Sequence, residues 1–130
     1  MVTNGIKLEL NMAKTQEENN FSCPIGGTLN VIAGRWKPEI IWNLQEGPVR
    51  FNQLLRAIGR VSQKMLTQQL RELVRDGLVI RTQYPEIPPR VEYRQTHLAK
   101  SLKPVFEALI EWSDKNAEEV ERARLDFNSK

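Results

Sequence analysis

Between residues 51 and 96 the hydrophobic period changes from that of helices to that of strands, and this change constrains the fold more than any other feature. Phe51, Leu54, Leu55 and Ile58 recur at the spacing of one helical face, which predicts a short amphipathic helix. Gly59 breaks it, and the Ser62 hydroxyl can cap a second helix. That helix is expected from residue 63 to about residue 76, with Leu66, Leu70, Leu73 and Val74 on its buried face. Its other face carries Lys64, Thr67, Gln68, Arg71 and Arg75, and Gly77 ends it. The period then drops to two. Leu78, Ile80, Thr82 and Tyr84 alternate with Val79, Arg81 and Gln83, so one face can pack on the helices. A return strand is expected over residues 91–95, with Val91 and Tyr93 on one face. Pro85, Pro88 and Pro89 make the connection stiff and unable to pair as a strand.

Two helices, a tight turn and a basic hairpin predict a winged helix-turn-helix: a mainly α fold with a small β-hairpin wing, in the α+β class. In that arrangement the second helix enters the major groove of double-stranded DNA. Gln63, Lys64, Thr67 and Gln68 lie in its first two turns and are expected at base edges. Gln matches adenine bidentately and Lys reaches guanine. Arg71 suits either a base or a phosphate. Ser62, with the N-terminal backbone amides, suits a phosphate. Arg90, near the wing tip, suits the minor groove or its phosphates. The competing readings are a merely solvated helix face and, separately, a winged helix that binds proteins rather than DNA. Arg75 also suits the dipole at a helix C-terminus, and the stems of Arg35 and Lys37 can cover Trp36 between them.

The 130 residues are enough for one domain with a modest core. The net charge of +3 is unevenly placed: residues 28–96 hold 11 Lys and Arg against 6 Asp and Glu. Positive charge on the helix–hairpin region fits a polyanionic partner, although solvated Lys and Arg can also cluster by chance. No apolar run is long enough for a membrane span, and the N-terminus lacks the layout of a signal peptide. A single cysteine excludes an internal disulfide framework. These features together predict a cytoplasmic location. The one histidine, His97, has no partner at metal-ligand spacing, and there is no glycine-rich phosphate loop. No enzyme, cofactor or metal site is expected.

Residues 1–22 read as an N-terminal extension. Ile6, Leu8, Leu10 and Met12 alternate as in a short strand, residues 15–20 look like a solvated linker, and a disordered tail fits as well. The expected DNA-binding domain is 23–112. Thr28 can cap a short helix closed by Gly34, and Pro38 suits the first turn of the next helix, which Gly47 and Pro48 stop. Thr96 is expected to cap a long final helix that Pro104 kinks or breaks near residue 103. Leu102, Val105, Phe106, Leu109 and Trp112 give this helix more apolar surface than one core face needs. They can bury against the same helix of a second subunit, with 113–130 as a dimerising extension, or cover the domain's own core. A symmetric dimer matches a palindromic operator.

Several motifs fall in one order: Cys23-Pro24, Gly34-Arg35-Trp36-Lys37-Pro38, Gly47-Pro48-Val49-Arg50-Phe51-Asn52-Gln53-Leu54, the run from Ser62 through Leu73, and Pro88-Pro89-Arg90-Val91-Glu92-Tyr93. In these the chain resembles the HxlR-type transcriptional regulators, relatives of the MarR winged-helix proteins. The resemblance implies a homodimer on operator DNA. It also implies that Cys23 can sense electrophiles or oxidants, whereas a lone cysteine read without it is an inert hydrophobe. The family's Thr-x-x-Gly after the hairpin is Thr96-His97-Leu98-Ala99 here, and alanine favours the helix. The sequence names no inducer, operator or regulated gene.

Overall fold

The computed structural model describes residues 24–129. The expected strand at residues 6–12, the linker at 15–20 and Cys23 lie outside the described residues. The elements in chain order are α1 (Pro24–Ile32), α2 (Lys37–Asn43), β1 (Val49–Arg50), α3 (Phe51–Ile58) and α4 (Gln63–Arg75), followed by β2 (Val79–Tyr84), β3 (Arg90–Gln95), α5 (His97–Lys100) and α6 (Lys103–Asn128). The three strands form an antiparallel sheet in the order β1-β3-β2.

The core is the convergence of the apolar helix stripes. Ile40, Ile41 and Leu44 meet Leu54 and Ile58 from α3, and Leu66, Leu70 and Leu73 from α4. The sheet closes over them. Val79 pairs with Gln95 and Arg81 with Tyr93, so Val79, Tyr93 and Gln95 share a face, and all three are buried. Ile80, on the opposite face, is only half-buried. Val74, expected inside, is exposed because it sits at the edge of the stripe centred on Leu66, Leu70 and Leu73. The Gln95 side chain donates to the Ile41 carbonyl at 2.8 Å, a buried bond that fastens β3 to the end of α2.

The helix boundaries follow local chemistry. At the end of α4, Gly77 takes φ 80°, the Leu78 N–H bonds the Leu73 carbonyl and the Gly77 N–H bonds the Val74 carbonyl. This Schellman motif turns the chain directly into β2. Thr96 accepts from the Ala99 N–H at 3.2 Å and donates to the Gly77 carbonyl at 2.7 Å, so one hydroxyl caps α5 and ties it to the α4–β2 turn. The expected break near residue 103 is present: α5 ends at Lys100, and α6 starts at Lys103 with Pro104 in its first turn. Helix α6 then runs unbroken for 26 residues, about 39 Å.

Two expectations need correction. Thr28 does not cap α1, which already begins at Pro24; its hydroxyl donates back to the Pro24 carbonyl at 3.1 Å. The sheet also has a third strand, β1, that alternation does not show, because two residues are too short to display a period.

Candidate nucleic-acid interface

Helix α4 is held from one side and free on the other. Leu66, Leu70 and Leu73 fix its depth in the core, while Gln63, Lys64, Thr67, Gln68 and Arg71 are all exposed. Positions 64, 68 and 71 fall in one stripe roughly opposite the buried one, as a 3.6-residue period requires. The helix extends for 13 residues, about 20 Å, with a diameter that a major groove admits.

The polar groups of this stripe are not equivalent. Among the described residues the Lys64 and Arg71 side chains have no hydrogen-bond or ion-pair partner, so their full charge faces solvent. The Gln68 amide makes a long contact, 3.5 Å, to Glu72, which leaves it adaptable. Thr67 donates its hydroxyl proton to the Gln63 carbonyl at 2.8 Å and so presents an acceptor and a methyl group. Ser62 accepts from the Met65 N–H at 3.0 Å. It is a working N-cap whose own proton remains available to an anion at the α4 N-terminus.

A half-buried ion pair ties this helix to α2. Lys37, at the start of α2, reaches 2.6 Å to Glu72 on α4, with side-chain exposures of 8% and 28%. Lys37 therefore does more than cover Trp36. It is a buried cation satisfied by the helix that carries the exposed stripe, while Arg35 stacks on Trp36 with its guanidinium carbon 4.8 Å from the ring centre. The Lys37 hydrogen bond, reinforced by its charge, holds the Glu72 carboxyl below its ordinary pKa against the opposing effect of burial. At the C-terminus of α4, one turn beyond Glu72, Arg75 makes a two-point contact with Asp76 at 2.9 and 3.1 Å. That hydrogen bonding lowers the Asp76 pKa and raises that of Arg75, so Arg75 is tethered in the helix-end structure.

Arg90 is not free at the wing tip as expected. Its Nε lies 2.6 Å from Glu86 without hydrogen-bond alignment, Nη1 donates to Glu92 at 3.2 Å, and the guanidinium stacks 3.9 Å over Tyr84. The physical reason is register. The hairpin pairs Tyr84 with Arg90, and Glu92 is two residues further along the same face. Two carboxylates and a ring compensate this cation within the wing. The exposed wing cations are Arg94, with no partner among the described residues, and Arg81, which touches only Gln83 at 3.4 Å. Arg50 and Arg56, beside a cleft of about 630 Å³ between the wing tip and α3, are likewise exposed. Sequence reading missed these four. Arg81 and Arg94 are visible only once the strand register is known.

The five apolar residues expected at a dimer interface divide. Phe106 is buried, with its ring edge-on to Trp42 at 6.4 Å, and Leu102 packs on the core, so the chain covers these two itself. Val105, Leu109 and Trp112 are exposed, as are Ile110 on α6 and Ile25 and Leu29 on α1. Among the described residues no group of three His, Cys, Asp or Glu is placed to hold a metal, and no helix is long and apolar enough to cross a membrane.

Comparison with known proteins places this geometry. A profile of the HxlR-like helix-turn-helix domain matches residues 31–121. The HTH-type transcriptional regulator BH0655 of Halalkalibacterium halodurans is 47% identical over 104 residues, covering 79% of this chain and 92% of that one. YkvN of Bacillus subtilis, also an HTH-type transcriptional regulator, is 46% identical over 99 residues, covering 76% and 84%. Among solved structures, the redox regulator HypR in its reduced form superposes with a TM-score of 0.73 at 39% identity, covering 77% of this chain and 99% of that one. The reduced transcriptional regulator YodB of B. subtilis gives 0.65 at 34% identity, covering 73% and 95%.

Proposed function

The chain belongs to the HxlR-like helix-turn-helix family, and from that premise we propose that it is a homodimeric transcriptional regulator that reads operator DNA through α4. The observation that carries this reading is the stripe of Lys64, Gln68 and Arg71, exposed on a helix whose other face is locked in the core. Gln63, Lys64, Thr67 and Gln68 contact base edges, Arg71 reaches a base or a phosphate, and Ser62 with the first-turn amides binds a phosphate. On the wing, Arg94 and Arg81 supply the unpaired charge for the backbone. Arg90 chiefly stiffens the hairpin.

The dimer forms through α6 and α1, whose exposed Leu109, Trp112, Ile25 and Leu29 offer apolar surface for a second copy to cover. A second copy covering this surface by two-fold symmetry sets the recognition helices about one helical turn apart, roughly 34–36 Å. Genome-wide mapping of bound DNA followed by binding to the recovered sites tests the reading. A pseudo-palindrome with that spacing is expected, and recovery of no common sequence refutes it.

Response to oxidants or electrophiles through Cys23 is the finer part of the proposal. Its support is that HypR is a redox regulator and that YodB has been solved after diamide treatment. With one cysteine in the chain an intrasubunit disulfide is excluded, and the products proposed are an alkylated Cys23 or a disulfide to Cys23 of the partner subunit. In the second case both thiols lose their protons and the oxidant takes two electrons. Diamide should change operator binding of the wild type and leave Cys23→Ser unaffected. Equal responses of the two proteins remove this part and leave DNA reading intact.

A further inference from the structure

The wing ends in an apolar point. The connection from β2 to β3 is Pro85-Glu86-Ile87-Pro88-Pro89, and Ile87 is the most exposed of the large apolar side chains among the described residues. Pro88 and Pro89 beside it are exposed as well. We propose that Ile87 is a wedge that enters a base step from the minor groove and kinks the duplex, so that the protein bends the DNA it reads. The proposal rests on the regulator reading and adds to it an activity that α4 does not supply.

The first support is what the tip lacks. The floor of a minor groove is read by Arg, Lys, Asn or Gln, and residues 85–89 contain none of these. The next residue, Arg90, is taken up by Glu86, Glu92 and the Tyr84 ring. What the tip offers a groove is therefore Ile87, a side chain type that wedges between base pairs and unstacks them.

The second support is stiffness, because a wedge must keep its shape while it parts two base pairs. Pro85, Pro88 and Pro89 have fixed φ. The Glu86 N–H donates to the Tyr84 carbonyl at 2.8 Å. Arg90 reaches across the connection to Glu86 at 2.6 Å while it stacks on Tyr84. The segment that carries Ile87 is braced from both strands, and β-branching restricts the Ile87 side chain itself.

The third support is charge beside the apolar point. Ile87 lines the cleft of about 630 Å³ whose other wall is α3, and Arg50, Arg56 and Arg90 face one carboxylate, Glu86, in that lining. Arg50 and Arg56 are exposed. A sugar–phosphate strand in the cleft compensates them and brings the adjacent groove to Ile87, whereas a purely apolar partner leaves both guanidinium groups unpaired. Unstacking is easiest at TA and CA steps. The wing should therefore favour such a step without hydrogen-bonding any base in it.

Selection from a pool of random-sequence duplexes by the full-length wild type, Ile87→Ser and Ile87→Leu, followed by end-to-end energy transfer on the recovered duplexes, tests the proposal. The wild type should recover a TA or CA step outside the bases read by α4 and bend the duplex by at least about 20° for each wing. Ile87→Ser should recover the same α4-read bases, lose the step and lose that bend, and Ile87→Leu should keep both. Ile87 carries no charge, so the salt slope should be the same for all three proteins. A bend and step preference that persist in Ile87→Ser overturn the proposal. Equal losses in Ile87→Ser and Ile87→Leu would mark a disturbed loop rather than a lost wedge and overturn it too. A straight wild-type complex with a steep salt slope removes the wedge and leaves the regulator reading standing, whereas no salt-dependent binding to any duplex removes both.

Discussion

Removing the carboxylate of Glu72 and removing the ammonium of Lys37 should carry very different costs, although the two groups form one ion pair. The Lys37 side chain is 8% exposed and Glu72 is 28% exposed. Glu72→Ala leaves an ammonium inside the protein without its partner, and breaking a buried pair from one side costs about 3–5 kcal/mol. Water reaching the vacated Glu72 site favours the lower end, about 3 kcal/mol. Lys37→Met removes the buried charge, fills the same space, and leaves a carboxylate that solvent and Gln68 can satisfy. Its expected cost is about 1 kcal/mol or less. The double variant should then be more stable than Glu72→Ala alone. For a domain of this size, 3 kcal/mol corresponds to a fall in melting temperature of about 10–20 °C. Urea unfolding followed by circular dichroism, at one fixed protein concentration because a dimer's stability depends on it, measures all three variants. If Lys37→Met costs as much as Glu72→Ala, or if the double variant shows the sum of the two, the pair is not a buried cation satisfied by an accessible acid and the reasoning fails.

Acid should weaken the fold through the same residues. Glu72 and Asp76 bind protons less readily folded than unfolded, so their contribution is complete above the ordinary carboxylate range and is lost as pH falls through their lowered folded values. A urea midpoint that falls below roughly pH 4 supports this, and one that rises contradicts it. Thr96→Ala should cost about 1 kcal/mol, the value of a lost N-cap, plus the bond to Gly77, and thermal unfolding against wild type checks it. Arg94→Ala should lower the salt slope of DNA binding by about one, whereas Arg90→Ala should lower it less because Glu86 and Glu92 already compensate that charge; equal changes would show that Arg90 leaves its carboxylates on DNA. Trp112→Glu should convert a dimeric species to a monomeric one in light scattering at micromolar protein, and an unchanged mass would move the interface elsewhere.

The sequence made the helices and the hairpin legible because each is encoded locally. The stripes at Leu54–Ile58 and Leu66–Leu73, the Ser62 and Thr96 caps, the Gly77 stop and the Pro104 break all act within a turn or two of the residues that form them. Contacts across the chain were not legible. Lys37 finds Glu72 at a separation of 35 residues, and nothing in the spacing of either distinguishes it from a solvated charge. Arg90 reads as a free wing-tip cation until the register of β2 and β3 brings Tyr84 and Glu92 beside it. Phe106 fits the apolar stripe of α6 as well as Leu109 does. Only the tertiary packing of α6, which sets the Phe106 ring edge-on to Trp42 and leaves Leu109 exposed, decides that one is core and the other surface. The α4 stripe was readable for the converse reason: an exposed face is what remains after the local apolar stripe is subtracted.

The most direct test of the central claim is a salt titration of binding to operator and to random duplex DNA, comparing wild type with Lys64→Ala, Gln68→Ala and Arg71→Ala combined. The account predicts a steep salt slope for the wild type on both duplexes, reflecting counterions released from phosphates. It predicts a preference for the operator that the triple variant loses, at about 1–3 kcal/mol for each base contact removed. A wild-type affinity independent of salt would mark a protein-binding module. An operator preference surviving in the triple variant would show that α4 is not the element that reads the sequence.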